Sequence, residues 1–390
     1  MKATFIYEFP AEVDYQLQSA MEACHKQFPG IQTQVLCGFL GKYVPGGLHP
    51  ARALNLLWVY LKVPFHILVQ RPDWILVRSG PPGIQVWASL WAAGFGIKTI
   101  SWLMDYHPEI EARMLVKHPL LRPLASALRM VDTHSLKRLQ GVVTLDAAMA
   151  GTLSSKAPGL PVRIHPTWDE YSCKATGQGD AGAPPEPGQC GFLRLAYAGN
   201  LSMNHPIGAV GQILRHYQGE NPGVRIQIHV IGTSPNGEAQ FRKFGAEFGV
   251  ETLTYPRLPF PELRETLVGK SIHYGILLME DETAGLFSPS KFAGYLAAGI
   301  PLLYCGPGGT NADMICRKFS AGVAIPSAPT DKDTQEAARA LADPGGLSKG
   351  REAVTEARRY FAGLDATTFI DTVASLLQPK GQPKTNLAGQ

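Results

Sequence analysis

The first half of the chain alternates short apolar runs with longer stretches of helical periodicity. Strands are expected at 2–7, 33–36, 74–78, 98–104, 141–145 and 162–165, and helices at 14–28, 54–61 and 85–94. Short apolar strands separated by helices are what a parallel sheet covered on both faces requires. Residues 174–190, KATGQGDAGAPPEPGQC, break the pattern, since almost nothing in them can pack, and read as a linker or long loop. The alternation then restarts, with strands at 193–198, 225–231, 252–255, 273–278 and 301–305 and helices at 207–217, 237–248, 263–267 and 290–298. Helices at 337–342, 350–362 and 366–377 close it. The pattern predicts two similar α/β halves, 1–172 and 191–365, around a linker at 173–190. A C-terminal helix at 366–378, which can cross back to the first half, and a disordered tail at 379–390 follow.

Composition agrees with this division. At 390 residues the chain exceeds the size at which one hydrophobic core keeps growing, and 45% apolar against 17% charged residues is globular usage. A net charge of +4, without a Lys/Arg run interleaved with aromatics, gives no phosphate-neutralising footprint, so no nucleic-acid partner is expected. Cys24, Cys37, Cys173, Cys190, Cys305 and Cys316 show no CxxC spacing and read as free thiols in a reducing, cytoplasmic compartment. In MKATFIYEF, Glu8 interrupts the only apolar run, so a secretory signal is not expected. The most hydrophobic window, 53–69, contains Lys62, Pro64 and His66 and reads as a buried helix followed by a short connection rather than a membrane span.

Open parallel sheets bind ligands beyond the carboxyl ends of their strands, which directs attention to three loops. Leu195-Ala-Tyr-Ala-Gly-Asn200 runs from a strand into Gly199 and Asn200, where backbone can approach a ligand and an amide can donate to a phosphate or sugar oxygen. Its plain alternative is an ordinary Gly-Asn turn. In Phe287-Ser-Pro-Ser-Lys-Phe292, Ser288 is the expected N-cap and Pro289 the first-turn residue. Ser290 and Lys291 then fall among free N–H groups that attract anions, where a departing diphosphate would be stabilised. The alternative there is a capped surface helix with a solvated lysine. Val230-Ile-Gly-Thr-Ser-Pro-Asn-Gly237 brings Gly232 and Thr233 to a third turn. Neither this turn nor Gly199 makes a GxGxxG fingerprint, and no GxxxxGK[ST] occurs, which disfavours a dinucleotide dehydrogenase or P-loop ATPase. Asp105, Asp281 and Asp313 lack a second aspartate at DxD spacing and there is no HExxH, so no metal site is expected.

Taken together, these loops resemble the second domain of the GT-B retaining glycosyltransferases of glycosyltransferase family four. Tyr197-Ala-Gly-Asn200 looks like the family's YxGN turn, and Pro289-Ser-Lys-Phe-Ala-Gly-Tyr-Leu-Ala-Ala-Gly-Ile-Pro301 is similar to its PSKxxEYLAAGxPV segment. Asp105-Tyr-His-Pro-Glu109 looks like its DxxPE turn, and Val162-Arg-Ile-His-Pro-Thr-Trp168 resembles its IPNW strand end. The resemblance runs in order over most of residues 70–310. It departs at the family's paired acidic residues, whose positions fall on Leu286 and Gly294, and at Ser202, where a glycine often follows the turn.

The resemblance implies two Rossmann-like domains facing across a cleft, an acceptor-side domain at 1–172 and a nucleotide-sugar domain at 191–365. It implies transfer of a sugar from a nucleotide diphosphate donor to a glycan or lipid-linked acceptor, with retention, without a metal or other cofactor, in bacterial-type polysaccharide or glycoconjugate assembly. Lys291 and Ser290 would stabilise the leaving group, Gly199 and Asn200 would seat phosphates or acceptor, and Asp105 and His107 would hold sugar hydroxyls or take the acceptor proton. Ser288, Gly232, Thr233, Tyr255 and Leu258 complete the donor site, with Tyr255 and Leu258 bordering the base or packing in the core. Glu282 either binds donor hydroxyls or faces solvent, and Glu109 is read as complementing its helix N-terminus. Basic and apolar residues mix over 113–138, where Arg113, Lys117, Arg122, Arg129 and Lys137 accompany Asp132 as the only acid. That segment either rests on anionic lipid at the inner face of the membrane or packs as a helix on the first domain. A sugar-nucleotide epimerase of similar two-lobed shape, or a nucleotide-sugar-binding domain without turnover, are the alternatives.

Overall fold

The computed structural model describes residues 1–8, 14–38, 50–80, 82–168, 186–201 and 205–378. Most of the expected linker (173–185), Cys173, Ser202 and the tail at 379–390 lie outside the described residues. The chain divides into two compact units: Met1–Leu145, Met149–Pro166 and Leu364–Gln390 form one, and Asp146–Ala148 with Thr167–Gly363 form the other.

The first unit is built on a six-stranded parallel sheet of β1 (Lys2–Ile6), β2 (Gln32–Leu36), β3 (Trp74–Arg78), β4 (Lys98–Leu103), β5 (Gly141–Thr144) and β6 (Val162–Ile164), in the order β2-β1-β3-β4-β5-β6. β3 is buried along its whole length, as a central parallel strand must be. Around the sheet lie α1 (Tyr15–Gln27), α2 (Pro50–Gln70), α3 (Ile84–Ala93), α4 (His107–Val116), α5 (Arg122–Leu136) and α6 (Ala147–Lys156). Asp14 caps α1, its Oδ1 accepting from Leu17 N at 2.9 Å. The last helix of the chain, Ala366–Leu377, packs on α1 and sets Phe369 4.5 Å from the Trp102 ring.

The segment at 53–69 departs from expectation. It is one continuous helix, α2, with no connection after 61, and much of it is exposed. Pro64 does not end it, although proline cannot donate to the carbonyl four residues earlier. That carbonyl, Tyr60 O, instead accepts from Trp87 Nε1 of α3 at 2.9 Å, so the group freed by Pro64 is satisfied. Only the face carrying Asn55, Val59, Val63 and Ile67 is buried, the three apolar residues packing with Ile6, Leu36, Ile75 and Val77.

The second unit carries another six-stranded parallel sheet: β7 (Phe192–Ala198), β8 (Arg225–Ile231), β9 (Glu251–Tyr255), β10 (Tyr274–Leu278), β11 (Leu302–Cys305) and β12 (Gly322–Ile325), in the order β12-β11-β10-β7-β8-β9. The order of connection reverses between β7 and β10, and the loops leaving those two strands therefore border the natural ligand crevice of this sheet. Its helices are α7 (Pro187–Cys190), α8 (Ile207–Glu220), α9 (Pro235–Phe248), α10 (Phe260–Gly269), α11 (Phe292–Ala297), α12 (Asn311–Arg317), α13 (Asp331–Ala342) and α14 (Gly346–Ala362), the C-terminal Ala366–Leu377 helix being α15.

The helix expected from 290 corrects to α11, which spans six residues from Phe292. Ser288 is not its N-cap and Pro289 is not in its first turn. Lys291 occupies the cap position, with no side-chain cap bond, and Ser288 Oγ accepts instead from Asn311 Nδ2 at 3.2 Å. Lys291 and Ser290 therefore precede a short helix rather than sit inside the first turn of a long one.

Candidate functional site

The site grows from the end of β7. Buried Tyr295 of α11 receives Ala198 N at 2.8 Å and donates to Ala196 O at 3.0 Å, which fixes α11 against the last residues of the strand. Gly199 follows with φ +108°, a conformation that L side chains rarely adopt, and its N–H reaches Ile231 O at 2.7 Å. The turn delivers Asn200, whose Oδ1 accepts from Ser234 N at 3.2 Å and whose carbonyl accepts from Tyr197 Oη at 2.8 Å. Thr233 Oγ1 accepts from Leu201 N at 3.3 Å, joining the first and third loops.

Lys291 lies across this turn. Its Nζ donates to Tyr197 Oη and to Asn200 O, each at 3.1 Å, and stands 4.7 Å from the Tyr197 ring centroid. Both acceptors are neutral, so the ammonium is held without a counter-charge from them. Burial lowers its pKa from the usual lysine range to about 8. Beside it opens a pocket of about 230 Å³, lined by Lys291, Ser288, Ser290, His205, Glu280 and Thr283 with parts of β10. His205 Nδ1 lies 3.3 Å from Tyr197 Oη, and burial followed by the nearby Lys291 charge pushes its pKa down to about 4. Because the Tyr197 hydroxyl proton points to Asn200 O, the hydrogen in the His205 contact belongs to Nδ1, and the ring is neutral at pH 7.

The structure thus brings Gly199, Asn200, Ser288, Ser290 and Lys291 together, with Thr233 bracing the turn. Gly232 (φ +69°) donates its N–H to Tyr255 O at 3.0 Å. Tyr255 stacks on buried His229 at 5.7 Å between ring centroids, its Oη 3.1 Å from His229 Nδ1, and neither it nor half-buried Leu258 lines the pocket. Glu282 is exposed on a 3-10 turn, Asp281–Thr283, outside that lining. Glu280, two residues past β10, occupies the place that the sequence reading gave to Glu282. Counting from the end of the strand at the reversal of the sheet picks Glu280. His205, by contrast, carries no sequence signal.

In the first unit, Ser79 Oγ accepts from Met104 N at 2.9 Å and Asp105 N at 3.1 Å, fixing the turn after β4. Asp105 is exposed at the surface, yet crowding by its surroundings raises its carboxyl pKa, opposed by His107 and Arg78. His107 opens α4 with Nδ1 2.9 Å from Glu111 Oε1. Burial opposes its protonation, but the bond and charge of Glu111, with Asp105, outweigh it and raise the pKa. Glu109 does more than complement the helix N-terminus, because its buried carboxylate meets Arg129 at 2.8 Å and Lys156 at 3.1 Å. Although burial opposes ionisation, those partners hold its pKa low.

No known family profile matches the chain, and no curated protein sequence does. Solved structures match throughout. The lipopolysaccharide outer core galactosyltransferase WaaB, in its apo form, aligns with TM-score 0.64 at 13% identity, covering 97% of this chain and 100% of its own. Anabaena HepE, solved with UDP, aligns at 0.59 and 12% identity over 97% and 99%. A Listeria monocytogenes protein described as a putative UDP-N-acetylglucosamine 2-epimerase aligns at 0.53 and 14% identity over 96% of each chain. Likeness at such identity is one of fold: two Rossmann-like α/β units as in the GT-B glycosyltransferases.

Proposed function

We propose that the chain is a glycosyltransferase whose donor is a nucleoside diphosphate sugar, with the diphosphate held at Lys291. The observation that carries this reading is the half-buried Lys291 ammonium, fastened to two neutral acceptors at the reversal of a doubly wound sheet. A cation desolvated in this way favours an anionic ligand, and leaving-group charge that develops beside it is stabilised most in the transition state. Ser288, Ser290, Gly199 and Asn200 supply neutral contacts. Gly232, Thr233, Tyr255 and Leu258 are proposed for the nucleoside end, and Glu280 with Glu282 for donor hydroxyls. Asp105 and His107 are proposed to engage the acceptor, His107 taking the hydroxyl proton in its neutral form. The UDP bound in the HepE structure supports a uridine donor.

The finer reading follows from the family resemblance: retention at the anomeric carbon, a glycan or lipid-linked acceptor, a cytoplasmic site and a reaction indifferent to EDTA. Thermal shift with UDP, GDP, ADP and dTDP and their sugar conjugates tests the donor, because a ligand of the native state raises Tm. One nucleotide should raise it, and Lys291→Ala should lower turnover about 100-fold with the fold intact. No shift at millimolar ligand, or unchanged turnover in the variant, rejects the reading. Likeness to the epimerase fold favours one competitor, which would isomerise UDP-N-acetylglucosamine without any acceptor. Leu286 and Gly294, at the positions of the missing acidic pair, favour another, a domain that binds donor and never turns it over.

A further inference from the structure

We infer that the outer face of α2, together with the Pro119–Leu121 turn and α5, docks the protein on an anionic lipid surface. Along α2, Leu54, Leu57, Trp58, Leu61, Phe65 and Val69 are all at least 46% exposed and recur at three- and four-residue spacing. They make one apolar stripe along a helix about 30 Å long. Soluble monomers rarely leave a contiguous apolar patch larger than roughly a few hundred Å² without a use for it. The opposite face is committed to the sheet: Val59, Val63 and Ile67 are fully buried, and His66 Nε2 meets Thr4 Oγ1 of β1 at 2.9 Å. The length and composition of α2 suit a membrane crossing. Packed as it is, the helix instead lies along the surface, the geometry of an interfacial helix.

Charge identifies the occupant. α2 contains no Asp or Glu, and Lys62 stands 5.1 Å from the Trp58 ring, a cation beside an aromatic of the kind that sits at headgroup depth. α3 packs on both α2 and α5, which places the α5 surface on the same side of the sheet. There Leu120 is 93% exposed, with Leu124 and Met130 also outward, among the exposed cations Lys117, Arg122, Lys137 and Arg138. Of the acids of this region, Glu109 and Asp132 are buried, where Lys156 meets both, and the half-exposed Glu111 of α4 is taken up by His107 Nδ1 at 2.9 Å. The outward face is therefore apolar and cationic, complementary to anionic lipid, whereas a second copy would set like charges together.

Co-sedimentation of the full chain with vesicles tests this without any nucleotide, so its failure and a failure of the donor reading are separate results. The chain should pellet with phosphatidylcholine vesicles containing about 30 mol % phosphatidylglycerol and much less with phosphatidylcholine alone. The double variant Leu61→Glu/Phe65→Glu should lower binding at least ten-fold, and Lys117→Glu/Arg122→Glu should remove the preference for anionic lipid. Every substituted side chain but that of Lys117 and Arg122 is apolar and all are exposed, so Tm should stay near wild type in both. Failure of wild type to pellet, or unchanged binding by the α2 variant, overturns the inference. A wild-type dimer that the α2 variant dissolves, with no vesicle binding, assigns the stripe to a second copy instead.

Discussion

A Cβ on Gly199 would stand 2.8 Å from Cε of Lys291 and 3.2 Å from its Nζ. The glycine thus does two things: it takes a φ of +108°, and it leaves room for the lysine stem to cross the turn and reach Tyr197 and Asn200. Gly199→Ala should cost about 1–2 kcal/mol in stability from the backbone alone. Below its lowered Tm it should also lose turnover roughly 10- to 100-fold, because the ammonium is pushed off the position where the proposed reaction develops leaving-group charge. Paired urea titrations and steady-state kinetics separate the two effects. Wild-type kcat/KM in the folded variant would show that the Gly199–Lys291 approach has no part in the chemistry.

The depressed pKa of Lys291 gives the proposed reaction a pH signature. Its ammonium is the useful form, and with a pKa near 8 in the free protein that form is lost as pH rises through 8. The profile of kcat/KM, which reports the free enzyme, should fall on its alkaline side near pH 8. The profile of kcat should break at higher pH, since a bound diphosphate favours the charged lysine. Lys291→Arg keeps its charge throughout this range and should remove the break, whatever activity it retains. An alkaline limb unchanged in that variant would assign the titration to another group.

Much of the architecture could be read from the chain because buried parallel strands are short, apolar and separated by helices. Trp74–Arg78 and Arg225–Ile231 are strands at the expected residues. Elements with weaker patterns were missed: Gly322–Ile325 is four residues of an outer strand, and Asn311–Arg317 is a seven-residue helix. The extent and exposure of α2 were misread because hydropathy does not distinguish an apolar face against the core from one left outside, and because the partner that frees the helix from its proline, Trp87, lies 23 residues beyond Pro64. Within the site, loop residues at strand ends were legible. Their partners were not, since the hydrogen bonds that tie Lys291 to Tyr197 and Asn200 span more than 90 residues.

Gly294 stands at one of the positions where the family resemblance calls for an acid, and a Cβ there would meet nothing nearer than Leu263 at 3.7 Å. The residue is interior to α11 and its space is open, so a methyl group fits without displacement. Gly294→Ala should raise stability by about 0.5–1 kcal/mol by reducing the freedom of the unfolded chain. The urea midpoint measures it. A loss of stability would mean that the glycine is needed for a closer approach than this structure contains.

Acid should weaken the fold through three histidines. His165, His205 and His229 are each held at a pKa of about 4, burial being the largest cause in every case, against about 6.5 in an unfolded chain. Above pH 6.5 they are neutral in both states and cost nothing. Between 6.5 and 4 the unfolded chain binds protons that the native protein refuses, so stability falls as pH falls, by up to about 1.4 kcal/mol per pH unit for each histidine. His165 is the clearest case: Nδ1 donates to Pro166 O at 2.8 Å, and Nε2 lies 3.0 Å from Thr368 Oγ1 of α15 as an acceptor. A proton on Nε2 would force the Thr368 hydroxyl to turn from donor to acceptor and would place a charge in a buried link between β6 and the C-terminal helix. His107, whose pKa is raised, works in the opposite sense, contributing stability below 6.5 that disappears as pH rises through its folded value. His165→Asn retains a donor toward Pro166 and should reduce proton uptake on unfolding at pH 5 by about one. Urea midpoints from pH 7 to pH 4.5 for wild type and variant measure the difference, and parallel curves would show that His165 titrates normally in the native protein.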